Sequence, residues 1–247
     1  MQEHIRRTSS LTGLDRLLIG SGILVLLIGN FSHIDLLLAD KLFDQARGQF
    51  SLQTSWLTEN STYLAFQSLL TVSAIAVIVL ALWDSLKPRS WLAPHRTALR
   101  VLAGSAVLVP AALTLFSMLS GAICPVDLQR YGGMETYTRL IETAPERVAA
   151  ITSLPTSGVG HAWWLLALMA FWIPRHPRVA NAITGLLLIC GLLLGYMLQL
   201  QGKQFFTQTL WSAWIASYLV YLLYQFFRPG DTQHVINRHQ ASHSTKH

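Results

Sequence analysis

Charge is scarce in this chain. Lys, Arg, Asp and Glu together make up 12% of its 247 residues, against about 25% in a typical soluble domain, so a water-facing surface cannot be built around an ordinary globular core. Cysteine is scarcer still, with Cys124 and Cys190 only. Cys190 falls inside an apolar run, so a disulfide between the two is not expected. Nor does the sequence hold a Cys/His spacing for zinc, so neither a metal nor another cofactor is expected. The first apolar run lacks a small-residue cleavage site and continues into Asn30-Phe31-Ser32-His33, which predicts a retained helix rather than a cleaved signal.

What the sequence has in place of charge is length of apolar run. Hydrophobic residues reach 52% with a mean hydropathy of +0.41, gathered in stretches of about 20, the length of a helix that crosses a bilayer core. These define an all-α integral membrane protein with six transmembrane helices, at Leu17–Phe31, Tyr63–Trp83, Leu99–Leu119, His161–Ile173, Val179–Leu200 and Phe205–Phe227. The fourth is short for a span and predicts a helix that begins nearer Thr156. Between the first two, Ile34 to Asp44 alternates apolar and acidic residues as a short interfacial helix does. Residues 45–62 read as a polar loop. Pro88 and Pro94 mark a basic turn, and Pro110 predicts a kink. Gly191 and Gly195 are spaced for close helix packing.

The domain division follows: an N-terminal segment 1–16, a six-helix membrane domain 17–227 with a long outer loop at 120–160, and a histidine-rich tail 228–247 that reads as disordered. Orientation comes from the basic residues. With six spans, one side holds residues 1–16, 84–100, 174–178 and 228–247, where 12 of the 18 Lys and Arg lie with four of the 12 acids, a net of +8. The other side keeps six cations and eight acids, a net of −2. This places both termini in the cytoplasm and accounts for the basic excess through topology and anionic-lipid contact, without a nucleic-acid partner.

Two stretches on the outer side carry a family resemblance. Cys124-Pro125-Val126-Asp127-Leu128-Gln129-Arg130-Tyr131-Gly132-Gly133 is similar to the Cys-Pro-Trp-Asp-Leu-x-Arg-Tyr-Gly-Gly run of bacterial membrane phosphatases of the type 2 phosphatidic acid phosphatase (PAP2) superfamily. The branch it resembles is the one near lipid A phosphatases and phosphotransferases. Leu36 to Phe50, Leu154-Pro155, Gly202, Phe205, Leu210 and Trp211 extend the likeness over most of residues 15 to 225. The resemblance implies a PAP2-like helical bundle in a bacterial inner membrane, with its site facing the periplasm.

It also implies where a reaction would sit. In that family a histidine attacks phosphorus, a second histidine protonates the leaving oxygen, an acid or histidine orients the nucleophile, and a lysine with two arginines holds the phosphate oxygens, the division of labour expected of nucleophilic catalysis on an anion. Carried onto this sequence, the lysine position is Ser117, the first arginine Cys124 and the acid histidine Gly158. The second arginine is Gln201, the nucleophile Gln204 and its orienting partner Gln208. A three-residue slip would instead put His161, within Gly160-His161-Ala162, at the acid position. A glutamine amide has no nucleophilic nitrogen and does not titrate near neutral pH, so the phosphohistidine route is closed.

The implied function is a pseudo-phosphatase that binds an anionic lipid or serves as a regulatory or assembly partner of an unidentified membrane protein. Asp127, Arg130, His161 and Lys203 are the candidate contacts for a lipid head group, whether of an anionic phospholipid, a polyprenyl phosphate or lipid A. Two other readings stay open: an active phosphatase or phosphotransferase with a rearranged site, and a subunit of a transport or other membrane complex. Each candidate also has a plainer role. His161 suits a membrane interface, Asp127 and Arg130 can brace the outer loop as an i, i+3 pair, and Lys203 can snorkel. The tryptophans suit belt or packing positions.

Overall fold

The computed structural model describes residues 2–52, 60–120, 123–137, 160–173 and 175–227. Almost all of it is helix. Five helices are long and apolar enough to cross a membrane: α1 (Gln2–Phe31), α3 (Asn60–Leu86), α4 (Arg96–Ser120), α5 (Pro177–Leu200) and α6 (Phe206–Phe227). They match five of the six expected spans, with α3 reaching three residues further at each end and α4 three further at its start than hydropathy alone marked. Helix α1 reaches back to Gln2 and so takes in the segment assigned to the N-terminal arm.

The expected fourth span takes a different form. Gly160–Phe171 is a 3₁₀ helix of 12 residues, about 24 Å long at the 3₁₀ rise. It forms the centre of the bundle: Trp163, Trp164, Leu166, Ala167 and Ala170 are buried against α4, where Ala98, Val101, Leu102, Ala106, Val109 and Leu113 recur every three to four residues on one face. Ser105 on the same face donates its hydroxyl to the Trp164 carbonyl at 3.3 Å, and the His95 ring lies 5.7 Å from that of Phe171. The two contacts are consistent in height, since Arg96 to Ser105 climbs about 14 Å in α geometry and Trp164 to Phe171 about 14 Å in 3₁₀ geometry. The predicted start near Thr156 lies outside the described residues, as do most of the outer loop and the tail.

Small residues set how closely the helices approach. A Cβ on Gly191 would lie 2.4 Å from the Trp163 ring, and one on Gly195 would lie 2.3 Å from Thr209, so this pair packs as its spacing predicts. On the opposite flank, Gly22 of α1 leaves room for Trp214 of α6, whose indole N–H donates to the Leu18 carbonyl at 2.8 Å. Helix α4 runs unbroken through Pro110. The turn before it, Ser90–His95, is 3₁₀ and contains Pro94. Both cysteines are free.

The polar loop expected after the interfacial helix is in part a structure of its own. Helix α2 spans Ile34–Leu42, and Phe43–Asp44 (β1) then pairs antiparallel with Gln49–Phe50 (β2). Asp44 closes the turn by accepting the Ala46 and Arg47 N–H groups at 2.9 and 3.3 Å. This hairpin carries Phe50 into a second, smaller core with Ala39, Ile123, Leu128, Tyr131 and Phe205, set at the end of the bundle where residues 201–205 join its last two helices.

Candidate functional site

The polar junction between α5 and α6 is built by helix-ending chemistry. Helix α5 stops in a Schellman motif: the Gly202 N–H donates to Gln199 O at 2.9 Å and the Lys203 N–H to Leu198 O at 3.0 Å. Gly202 takes φ +71°, where a side chain is strained, and a Cβ there would lie 2.4 Å from the Phe50 ring. Its carbonyl accepts the Val126 N–H at 3.0 Å, and the Leu200 carbonyl accepts the Leu52 N–H at 3.0 Å. One tight turn thus ties the hairpin and the 123–137 loop to the bundle.

Helix α6 begins at Phe206, so its cap position is Phe205, whose ring cannot accept a hydrogen bond. Two other residues supply what it lacks. Gln208, at the third helical position, reaches back so that its Oε1 accepts the Phe205 N–H at 3.1 Å, half of a capping box. Asp35 of α2 supplies the other half from a distant part of the chain. Its Oδ1 accepts the Thr207 N–H at 2.9 Å, and its Oδ2 accepts the Thr207 hydroxyl in a short hydrogen bond. The carboxylate also sits at the positive end of the α6 dipole. Asp35 is 7% exposed, and burial lifts its carboxyl above the usual carboxylate range, a shift that hydrogen bonds from Thr207 and Phe206 partly offset.

The Cys124–Gly133 run folds on itself as two 3₁₀ turns, Pro125–Asp127 and Gln129–Tyr131. Gly132 ends the second turn at φ +93°. Gly133 lies so close to the Asp127 backbone that an added Cβ would stand 2.1 Å from its carbonyl. Phe43, Phe50 and Tyr131 form a triangle of rings with centroids 5.1 to 5.3 Å apart.

Arg130 does not pair with Asp127. Its guanidinium forms a two-pronged bond with Asp40 of α2, at 2.8 Å from Nε and 2.7 Å from Nη2, and the Tyr131 hydroxyl donates to the same carboxylate at 2.9 Å. The Arg130 hydrogen bonds hold the Asp40 carboxyl below the usual range, while burial, and then the bond to Asp40, keeps Tyr131 protonated. The planar fork suits a carboxylate better than a neighbour one helical turn away would allow.

The positions implied by the resemblance are therefore brought partly together. Pro125, Gln199, Gln204 and Asp35 line one crevice beside Phe205 and Phe206, of about 10 Å³, room for about one water molecule and far less than a phosphate group. Cys124 adjoins the crevice at Pro125, and its thiol is pushed up to about 11 by burial and by the Asp127 charge, with Lys203 opposing. A thiol that stays protonated at neutral pH is neither a nucleophile nor a cation. Gln201 is buried, whereas Lys203 is exposed.

Ser117 stands at the same end of α4. Its hydroxyl donates to Thr114 O at 2.8 Å, and the neighbouring Phe116 ring packs 5.6 Å from Trp211. The backbone of His161 enters the central helix three residues before Trp164, about 6 Å along a 3₁₀ axis. From the level of Trp164, at Ser105, to Ser117 is twelve residues, about 18 Å, so His161 joins the bundle well short of the junction. Gly158 lies outside the described residues. No group of three or more His, Cys, Asp or Glu side chains placed to hold a metal occurs among the described residues.

Sequence reasoning missed Asp35 and Asp40, the two acids that tie α2 to the junction and to the 123–137 loop. Their alternation with apolar residues signalled an interfacial helix, and nothing local signalled partners 172 and 90 positions away. Trp211, expected at a belt or packing position, is buried and packs on Phe116 and Trp214, and its indole N–H is the one buried side-chain polar atom without a hydrogen-bond partner among the described residues.

No protein-family model matches this chain, and no curated protein or solved structure matches it either. Five helices of membrane-spanning length and apolarity support a helical membrane protein, whose α5–α6 junction, hairpin and 123–137 loop form one interlocked cap.

Proposed function

We propose that this chain is a PAP2-like protein of a bacterial inner membrane that has lost phosphatase chemistry and works as a regulatory or assembly partner of another membrane component. In this reading the chain crosses six times, with both termini cytoplasmic and the polar cap facing the periplasm.

The observation that carries the proposal is the use to which Gln208 is put. The side chain at the position of the family's orienting group is bonded to the Phe205 N–H, so it caps a helix. The other junction residues support the same reading. Gln204 lines a crevice too small for phosphate, burial pushes the Cys124 thiol up to about 11, and the Arg130 fork is occupied by Asp40. A cap whose aromatic rings are packed inside it and whose outward-facing charged groups include Lys203 is suited to contact with a protein or with lipid head groups.

Purification in mild detergent followed by mass spectrometry separates the two kinds of contact. A stoichiometric protein partner is expected. A co-purifying anionic lipid that is lost in Lys203→Ala would favour head-group binding instead, and recovery of neither would overturn both.

A further inference from the structure

The other end of the bundle carries a second arrangement, independent of the polar cap and of the function proposed for it. The turn between α3 and α4 is fixed by Asp84, which is 4% exposed. Its Oδ1 accepts the Arg89 N–H at 3.2 Å and its Oδ2 accepts Arg96 Nε at 2.9 Å. Arg96 in turn donates from Nη2 to the Arg89 carbonyl at 3.1 Å. The buried carboxylate thereby neutralises Arg96 and holds the turn so that Lys87 and Arg89 stand in solvent.

Contact between the His95 and Phe171 rings, tilted 37° with centroids 5.7 Å apart, sets this turn beside the segment that leaves the central helix, where Arg175 and Arg178 are also exposed. Among the described residues no carboxylate pairs with any of these four cations. Two tryptophans stand at the same end with their rings open, Trp91 at 62% exposure and Trp172 at 36%. Such rings, with polar edge and apolar face, settle at the head-group level of a bilayer. Four unpaired cations on two adjacent segments, flanked by interfacial tryptophans, match a phosphodiester at the lipid–water boundary, with acyl chains free to lie along the exposed apolar flank of α3.

We infer that Lys87, Arg89, Arg175 and Arg178 form a binding site for an anionic phospholipid of the adjacent leaflet. Asp84 is its positioning residue, setting the turn without touching the lipid. Each cation at the membrane surface contributes about 1 kcal/mol of attraction to an anionic lipid, about a fivefold change in occupancy.

The test uses the full-length protein in detergent, equilibrated with equal amounts of phosphatidylglycerol and phosphatidylcholine and read by native mass spectrometry. The wild type should retain phosphatidylglycerol preferentially. Lys87→Gln/Arg89→Gln/Arg175→Gln/Arg178→Gln should lower that preference at least tenfold, while Arg89→Lys/Arg175→Lys/Arg178→Lys should keep most of it. Melting curves of both variants check that the bundle is intact. An absent preference in the wild type, or one that persists in the folded glutamine variant, would overturn the assignment. So would a preference that Lys203→Ala abolishes, since that residue belongs to the opposite end.

Discussion

Gly133→Ala and Gly202→Ala are expected to destabilise the protein more than other single methyl additions in the polar cap. At Gly133 the new carbon would stand 2.1 Å from backbone atoms of Asp127, which no side-chain rotation relieves, so the loop has to open. At Gly202 two costs combine. A residue with a side chain at φ +71° loses about 1–2 kcal/mol, and overlap with the packed Phe50 ring adds about 1–3 kcal/mol. For a chain of this length that total lowers the apparent melting temperature by about 10 °C. Tryptophan fluorescence in detergent reports it. Repeating Gly202→Ala in a Phe50→Ala background separates the two terms: only the backbone part should remain. Equal losses in both backgrounds would refute the contact with Phe50 as a cause.

Asp35 is the second position where a single change should be large, and two substitutions there should behave differently. Asp35→Ala leaves the Thr207 N–H and hydroxyl without their acceptor in a buried place, an expected loss of about 2–4 kcal/mol. Asp35→Asn keeps an acceptor oxygen and removes the buried charge, so its loss should be under half as large at neutral pH. The pH dependence gives the sign. Burial raises the folded carboxyl above its unfolded value of about 3.9, so the folded state binds the proton more tightly. Stability from this group is highest below the unfolded value and falls as pH rises through the folded one. Melting curves from pH 4 upward should show that decline in the wild type and not in Asp35→Asn.

Both predictions concern contacts that join distant parts of the chain, and that is where sequence stopped being a guide. The five long helices were legible because runs such as Val179–Leu200 need nothing beyond their own length to span a bilayer core. Gly191 and Gly195 were legible as a packing pair for a similar reason. The central element was not. Ala162–Phe171 is apolar on every side, so no periodicity distinguishes α from 3₁₀ winding. The hairpin was hidden by strands of two residues each, too short to show alternation.

Gln208 is the most instructive residue of the cap. A glutamine three places after a helix cap is a local signal of a capping box, but the usual Ser, Thr, Asp or Asn is missing from the cap position because Phe205 stands there. Without that partner the glutamine was visible only as a substitution in the motif that the family resemblance implies. Asp35, arriving from α2, completes the cap and gives the glutamine its structural purpose. Arg130 follows the same pattern, since its nearest acid in sequence is Asp127 and its partner in space is Asp40.

The central claim is that the junction of α5 and α6 is a structural cap with no phosphoryl-transfer chemistry. Phosphate release by the purified protein from phosphatidic acid, undecaprenyl diphosphate and lipid A tests it most directly. The account predicts no release above that of a protein-free control for any of the three. Clear turnover that disappears in a folded His161→Ala variant would contradict it and establish an active site built on a different set of residues.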